Sequence, residues 1–166
     1  MEVIGKILRT LALAVLFGGS IATIIAAVTL VKAAQAQGVP VAEAAARNAP
    51  VFITYAKVNL GAGILLLIGE ALDFAKRRLW TKMTIAQIMC SMLCVGTTMI
   101  FALGIVPPME ALAPRIATDP SAHAEFHALH EVSRAVFGGT IVLALASLIL
   151  PIFGALRSKD PSTDSA

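Results

Sequence analysis

Four long apolar stretches dominate the pattern of hydrophobic and polar positions along the chain. Three of them contain no charged residue, namely Leu11–Val31, Met83–Val106 and Ala135–Leu156. Each exceeds the run of about 18 apolar residues that indicates a membrane-spanning helix. The fourth, Val51–Leu72, is interrupted only by Lys57 and Glu70, whose side chains we expect to reach the two membrane surfaces. The pattern therefore predicts four transmembrane helices, at about 10–33, 50–74, 82–106 and 124–156.

The connecting segments carry helix and turn signals. The segment QAQGVPVAEAAARNAP predicts a short helix in the membrane interface, from about Val41 to Asn48. Pro107 and Pro108 predict the end of the third helix, and Asp119 before Pro120 predicts the N-cap of the fourth. The expected fold is all-α, an antiparallel four-helix bundle forming one domain over residues 1–156, with a polar tail at 157–166.

Lysines and arginines are distributed unevenly over the predicted connections. The side that holds both termini carries eight of them: Lys6, Arg9, Lys76, Arg77, Arg78, Lys82, Arg157 and Lys159. The opposite side carries five: Lys32, Arg47, Lys57, Arg115 and Arg134. Because cytoplasmic loops accumulate positive charge, we expect both termini in the cytoplasm, in a bacterial inner or a thylakoid-type membrane. The first apolar stretch is longer than the apolar region of a signal peptide, so we expect it to remain as a helix.

Composition agrees with a membrane location and narrows the function classes. The chain is 58% hydrophobic and 14% charged, whereas a soluble domain carries about 25% charged residues. No basic cluster is interleaved with aromatic residues, so nucleic acid is not an expected partner. The sequence contains no recognisable catalytic motif, and we expect a protein that is not an enzyme.

All three histidines lie on one helical face at the start of the fourth helix. The spacing of His123, His127 and His130 is i, i+4, i+7. Neutral imidazole binds zinc, copper, haem iron and the magnesium of chlorophyll, which makes His127 and His130 candidate ligands of a metal or pigment. The segment HALHE is not the HExxH motif of zinc proteases. The alternative is a structural role, with His130 buried against a neighbouring helix.

Polar residues of the second helix favour that structural role. Ser133 shares a face with His130 because the two are three residues apart, and Tyr55 and Asn59 enter the second helix at a similar depth. We therefore predict a structural polar cluster of His130, Ser133, Asn59 and Tyr55 that fixes the fourth helix against the second. Charged residues at the two membrane interfaces are expected to be Lys57, Glu70 and Arg134.

Small residues predict where the helices pack closely. Gly18 and Ala22 form a ridge on the first helix, and further packing positions are expected at Gly61, Gly138 and Gly139.

The stretch IMCSMLCVGTTM of the third helix offers sulfur ligands for copper(I). Cys90 and Cys94 share one face, and Met92 and Met99 share another. Ordinary packing of sulfur side chains in an apolar interior is the alternative.

Short motifs along most of residues 10–155 resemble the transmembrane protein 205-like family, which is also catalogued as domain of unknown function 4149. The motifs are Phe17-Gly18-Gly19-Ser20, Tyr55 with Asn59, Val106-Pro107-Pro108-Met109-Glu110-Ala111-Leu112, and Phe126-x-x-Leu129-His130-x-Val132-Ser133. Glu131 stands where the family has glycine, Phe137 stands where some members have asparagine, and His123 and His127 are not in the shared pattern. The resemblance implies a four-helix membrane fold and no reaction.

Two functional hypotheses remain open. The first is a structural or accessory protein without catalysis, surrounded by the lipid bilayer and associated with itself or with a larger membrane complex. The cyanobacterial likeness of the Tyr55 and Asn59 motif makes a photosynthetic complex one such host, with chlorophyll or carotenoid beside the bundle. The alternative is a protein that handles metal, such as copper or zinc, or transports a small solute through His, Cys and Met ligands.

Overall fold

Four long helices make up most of the computed structural model, which describes residues 2–75, 81–116 and 118–157. The first consists of α1 (Glu2–Ala14), a π-helical turn (Val15–Gly19) and α2 (Ser20–Ala36). The short helix α3 (Val41–Arg47) leads into the second, α4 (Ala49–Phe74). The third consists of α5 (Lys82–Met99), a π-helical segment (Ile100–Ile105), α6 (Val106–Leu112) and a 3₁₀ turn (Ala113–Arg115), and the fourth is α7 (Pro120–Arg157).

All four long helices are long and apolar enough to cross a membrane, and the described residues contain no β-strand. The prediction of an all-α four-helix bundle is confirmed, and the chain is a multi-pass membrane protein. Contacts of Gly5 with Gly69 and of Gly19 with Tyr55 show that the first two long helices run antiparallel. The basic cluster Lys76, Arg77 and Arg78 and the tail from 158 to 166 lie outside the described residues.

Two glycines allow α1 and α4 to approach each other closely. A Cβ atom added to Gly69 would lie 2.7 Å from the backbone nitrogen of Arg9 and 3.0 Å from the carbonyl oxygen of Gly5. A Cβ atom added to Gly5 would lie 3.1 Å from the carbonyl oxygen of Gly69. Such close contact gains van der Waals energy, which replaces the hydrophobic drive between helices in lipid.

The small residues singled out from the sequence do not make these contacts. Gly18, Ala22 and Gly61 are exposed, and Gly138 and Gly139 are half-buried. A Cβ atom added at any of the four glycines would meet nothing within 4 Å. Helical spacing identifies residues that share a face, but a membrane helix is apolar on its lipid face as well as on its protein face. The pattern therefore did not reveal which face meets another helix.

The π-helical turn of the first long helix is held by Tyr55 of α4. The Tyr55 hydroxyl donates a hydrogen bond to the carbonyl oxygen of Val15 at 2.8 Å and lies 3.3 Å from the Ser20 hydroxyl. A Cβ atom added to Gly19 would lie 2.5 Å from the same hydroxyl. Glycine at position 19 leaves room for the tyrosine hydroxyl, and a π bulge offers a carbonyl that has lost its regular helical partner.

The third long helix continues past Pro107 and Pro108, contrary to the prediction that it ends there. Both prolines lie in the first turn of α6, directly after the π-helical segment, and neither has an N–H group to donate to a carbonyl of the preceding turn. The preceding segment Ile100–Ile105 widens into a π helix. The chain thus accommodates the prolines by changing its hydrogen-bond pattern, and it stays helical to Arg115.

The connection before α7 is ordered by Asp119. Its carboxylate accepts hydrogen bonds from the backbone nitrogens of Ser121 at 2.9 Å and Ala122 at 3.3 Å, which confirms the predicted N-cap. The Arg115 side chain forms an ion pair with the same carboxylate. Hydrogen bonds from the Ser121 hydroxyl and then from Arg115 lower the pKa of Asp119 to about 2. The other predicted local element, a short helix from Val41, is also present.

Candidate functional site

The bundle divides into two halves of different construction. We call residues 2–16, 62–75, 81–97 and 141–157 the terminal half, because it contains the ends of the described chain. We call residues 17–61, 98–116 and 118–140 the cavity half. The terminal half contains the glycine contact between α1 and α4, and the cavity half contains α3 and the connection before α7.

A buried hydrogen-bonded cluster closes the terminal half. The Glu70 carboxylate accepts hydrogen bonds from the Ser91 hydroxyl at 2.6 Å and from the Gln87 amide at 3.4 Å. The Ser91 and Ser147 hydroxyl oxygens are 2.6 Å apart. Because Ser91 uses its proton toward Glu70, Ser147 donates to Ser91. These four side chains join α4, α5 and α7, and each residue is at most 4% exposed.

Glu70 is therefore not the interfacial charge that the sequence suggested. It lies between helices, where hydrogen bonds to its carboxylate offset the cost of burial. Its partners come 17 and 21 residues later in the chain, so no local pattern around Glu70 could identify them. Lys57 and Arg134 are exposed, and Arg134 forms an ion pair with Glu131 at 3.0 Å.

A cavity of about 840 Å³ lies among the four long helices in the cavity half. Its walls come from α2, α4, the third long helix and α7, with α3 at one margin. Most of the lining is apolar, and six of the residues that form it are Ile24, Val28, Phe52, Ile53, Phe101 and Phe137. The cavity is thus a lipophilic chamber within the predicted membrane zone, open on one side.

The cavity exists because α2 packs through few residues. Its buried residues are Ser20, Thr23 and Ala27, while Ile24 and Val28 are 38% and 48% exposed. Beyond the π turn, α2 is tied to the second long helix by the Asn48 side chain, which donates a hydrogen bond to the carbonyl oxygen of Ala27 at 3.3 Å. This tether holds one side of α2 and leaves the side toward α7 open.

The deep end of the cavity is closed by aromatic rings. The rings of Phe101 and Phe137 have centroids 5.0 Å apart, and Tyr55 meets Phe137 edge to face at 6.2 Å. Phe101 and Phe137 are 4% and 6% exposed. The third and fourth long helices are therefore in firm aromatic contact at this level, and the space above it is the chamber.

Polar side chains line the opposite end, near the connections. They are Lys32, Gln35, Glu110, His123, His127 and His130. From His123 to Phe137 the fourth long helix rises about 21 Å at 1.5 Å per residue. Asn48, Ser133 and Arg134 also line the cavity, but most of its polar side chains lie toward His123, about 20 Å from Phe137 along α7. This distribution suits an amphipathic molecule.

The structure does not form the predicted cluster of His130, Ser133, Asn59 and Tyr55. His130 is exposed at the cavity and stacks on Phe126, with centroids 6.4 Å apart. The Ser133 hydroxyl donates to the carbonyl oxygen of His130, within its own helix, at 2.7 Å. Asn59 is 1% exposed, and its side-chain oxygen has no hydrogen-bond partner among the described residues. Similar depth did not bring these residues together, because they face different neighbours around their helix axes.

The cysteines and the histidines that were predicted as metal ligands are also far apart. The Cys94 thiol donates to the carbonyl oxygen of Thr140 at 3.6 Å. His127 precedes Thr140 by 13 residues on α7, which is about 20 Å along the axis. Within residues 2–75, 81–116 and 118–157, no group of three His, Cys, Asp or Glu side chains is placed to hold a metal ion. His127 and His130 instead border the cavity.

Sequence reasoning missed the cavity as a whole. Its apolar lining comes from four long helices, and each lining residue taken alone is indistinguishable from a lipid-facing one. One usable signal was present in the histidine face, which does mark the polar end of the site. The first long helix and α7 are both longer than the roughly 20 residues that a bilayer requires, which was a second signal.

Comparison with known proteins identifies the family. The sequence model of the family described as Domain of unknown function (DUF4149) matches residues 11–117. The chain therefore belongs to this family, and the matched region includes Gly19, Tyr55 and the proline segment of the third long helix. Neither a curated protein nor a solved structure matches the chain.

Proposed function

We propose that this DUF4149 protein is a non-catalytic membrane protein that binds an amphipathic molecule in the cavity half. The observation that carries the proposal is the 840 Å³ cavity, which is mostly apolar and has most of its polar side chains toward one end. Pockets for small molecules measure about 300–1,000 Å³, are mostly apolar and carry a few polar groups that fix orientation. The likeness to transmembrane protein 205-like proteins supports the shared bundle and adds no chemistry to it.

The chemistry of the cavity lining supports binding rather than catalysis. Nucleophilic catalysis by a serine or threonine needs its hydroxyl to be hydrogen-bonded to a base. Among the described lining residues, the one hydroxyl is that of Ser133, and it is bonded to a backbone carbonyl. The lining thus offers an apolar body, three imidazoles and two cations, which orient a ligand.

The sequence-based hypothesis of an accessory subunit is compatible with this proposal. Many large apolar side chains are exposed on the described helices, for example Ile25, Val142 and Leu103, and lipid covers such surfaces as well as a protein partner does. A chlorophyll or carotenoid beside His127 and His130 would occupy the same cavity. Self-association and a photosynthetic host remain predictions.

A photoreactive ligand tests the proposal directly. The probe is the methyl ester of a long-chain fatty acid that carries a diazirine on its chain. It is added to protein purified in a neutral detergent. Illumination is expected to label cavity residues near Phe52 and Phe137, located by mass spectrometry of peptides.

Two neighbouring glycines provide a matched pair of variants. Gly138 lines the cavity and Gly139 does not, and an added side chain at either meets nothing within 4 Å. Gly138→Leu therefore fills the cavity without a backbone clash, and we expect it to abolish most labelling. Gly139→Leu makes the same chemical change on the next residue and should leave labelling intact. Equal labelling of both variants would show that the probe binds elsewhere and would refute the proposal.

A further inference from the structure

Building on the proposed function, we infer that the cavity selects a long-chain carboxylate, the fatty-acid class of ligand, with its acid group at Lys32 and its chain toward Phe101 and Phe137. The inference concerns which amphipathic molecule binds. It follows from the charges around the cavity, from the placement of hydrogen-bond donors and from the shape of the chamber.

One cation of the cavity lining has no ion-pair partner among the described residues. The charged lining residues are Lys32 and Arg134, which are cationic, and Glu110, which is anionic. Arg134 is paired with Glu131, so Lys32 and Glu110 are the remaining charges of the described lining. Within the described residues, no carboxylate lies within ion-pair distance of Lys32. Lys32 is therefore the cation available to a ligand.

The polar end supplies donors suited to an acid group. Gln35 follows Lys32 by three residues and shares its face of α2, and both line the cavity. Across the opening, His123 and His127 of α7 carry imidazole groups that donate through N–H. A carboxylate accepts hydrogen bonds and gains most from charged donors, which form bonds about twice as strong as neutral ones.

The shape of the chamber favours one chain. The aromatic contacts of Phe101 with Phe137 and of Phe137 with Tyr55 close its deep end. The volume of 840 Å³ lies within the range of pockets for drug-sized molecules. A ligand with one acyl chain and a small head group suits a pocket of this size better than a lipid with two chains and a phosphate head.

Competition against the photoreactive ester measures the head-group preference. The competitors are oleate, methyl oleate, oleylamine and oleyl phosphate, each titrated in the same neutral detergent. We expect oleate to halve the labelling at a concentration about tenfold below that of methyl oleate, because a charge-assisted bond replaces a neutral one. Oleylamine should be the weakest competitor.

Lysine variants identify the partner of the acid group. Lys32→Gln should remove the preference of oleate over methyl oleate, and Lys32→Arg should keep it. Lys57→Gln is the control, because Lys57 is exposed on α4 and does not line the cavity; it should behave as wild type.

The outcomes separate this inference from the proposed function. Equal competition by oleate and methyl oleate, or an unchanged preference in Lys32→Gln, would overturn the carboxylate ligand while the contrast between Gly138→Leu and Gly139→Leu still supports a binding cavity. Stronger competition by oleyl phosphate than by oleate would overturn the carboxylate in favour of a phosphate head. Loss of the contrast between the glycine variants would refute the cavity itself.

Discussion

The terminal half and the cavity half are composed of similar residues but are held together differently. In the terminal half, backbones touch at Gly5 and Gly69, and the polar groups of Glu70, Ser91 and Ser147 satisfy one another. In the cavity half, α2 is held at Asn48 and at the π turn next to Tyr55, and the space beyond is empty of protein. The helices of the terminal half pack directly against each other, whereas those of the cavity half surround the cavity.

This difference explains how a small bundle combines stability with binding. Close packing and satisfied polar networks make one region rigid, and ligand sites are usually found in regions with fewer buried contacts. Helices that surround a cavity gain little packing energy from each other. They therefore need to be anchored by close packing at their other ends. Variants that weaken one half should therefore differ sharply from matched variants in the other.

The largest expected effect follows from filling the glycine contact of the terminal half. In Gly69→Ala the new methyl group would lie 2.7 Å from the backbone nitrogen of Arg9, and a backbone cannot rotate away as a flexible side chain does. We expect the free energy of unfolding to fall by about 3 kcal/mol, at the upper end of the usual cost of overpacking. Reversible unfolding in mixed detergent, followed by circular dichroism, measures this change.

Gly61→Ala is the matched control in the cavity half. It makes the same substitution on the same helix, α4, where the added Cβ atom meets nothing within 4 Å. Alanine is a better helix former than glycine, so this variant should be more stable than wild type by about 0.5–1 kcal/mol. If both variants lose equal stability, the close approach of α1 and α4 is not what holds the terminal half.

A smaller effect is expected from the buried hydroxyls. Ser91→Ala removes the donor to Glu70 and leaves the Ser147 hydroxyl without its acceptor. Unsatisfied buried groups cost about 1–3 kcal/mol, and we expect a loss near 2 kcal/mol in the same unfolding measurement. Ser133→Ala should change stability by less than about 0.5 kcal/mol, because Ser133 bonds to a carbonyl of its own helix. Similar losses for the two variants would contradict the distinction between the halves.

The sequence predicted the parts of this architecture that depend on one segment at a time. The four long helices, the short helix after Val41 and the N-cap at Asp119 each follow from local periodicity or capping chemistry, and the structure contains them. The continuation of the third long helix through Pro107 was not predicted, because the compensating π segment depends on hydrogen bonds that periodicity does not reveal.

Features that depend on the rotation of helices about their axes could not be predicted. Gly18 and Gly69 both lie in apolar stretches and cannot be distinguished by sequence. Gly18 meets no neighbour, whereas Gly69 contacts the backbone of α1. In a soluble protein, polar residues would mark the outward face, but lipid removes that signal. The burial of Glu70 and the separation of His130 from Asn59 have the same origin. The histidine face did indicate the polar part of the cavity. The residues of α2 that line the cavity with the histidines could not be inferred from sequence.

The smallest expected effect concerns the first turn of α7, which forms a wall of the cavity half. The pKa of Asp119 is lowered to about 2 by the Ser121 hydroxyl and by Arg115, from an ordinary value of about 3.9. A lowered pKa means that the carboxylate contributes stability above pH 4 and loses that contribution as the pH falls toward 2. Amide hydrogen exchange at Ser121 and Ala122, corrected for the intrinsic pH dependence, should therefore show protection that declines between pH 4 and pH 2. In Asp119→Asn the side-chain oxygen still caps the helix but does not titrate, so protection should be independent of pH over this range. In Asp119→Ala it should be reduced at every pH. A decline of the same size in the Asn variant would show that some other group controls this end of the cavity.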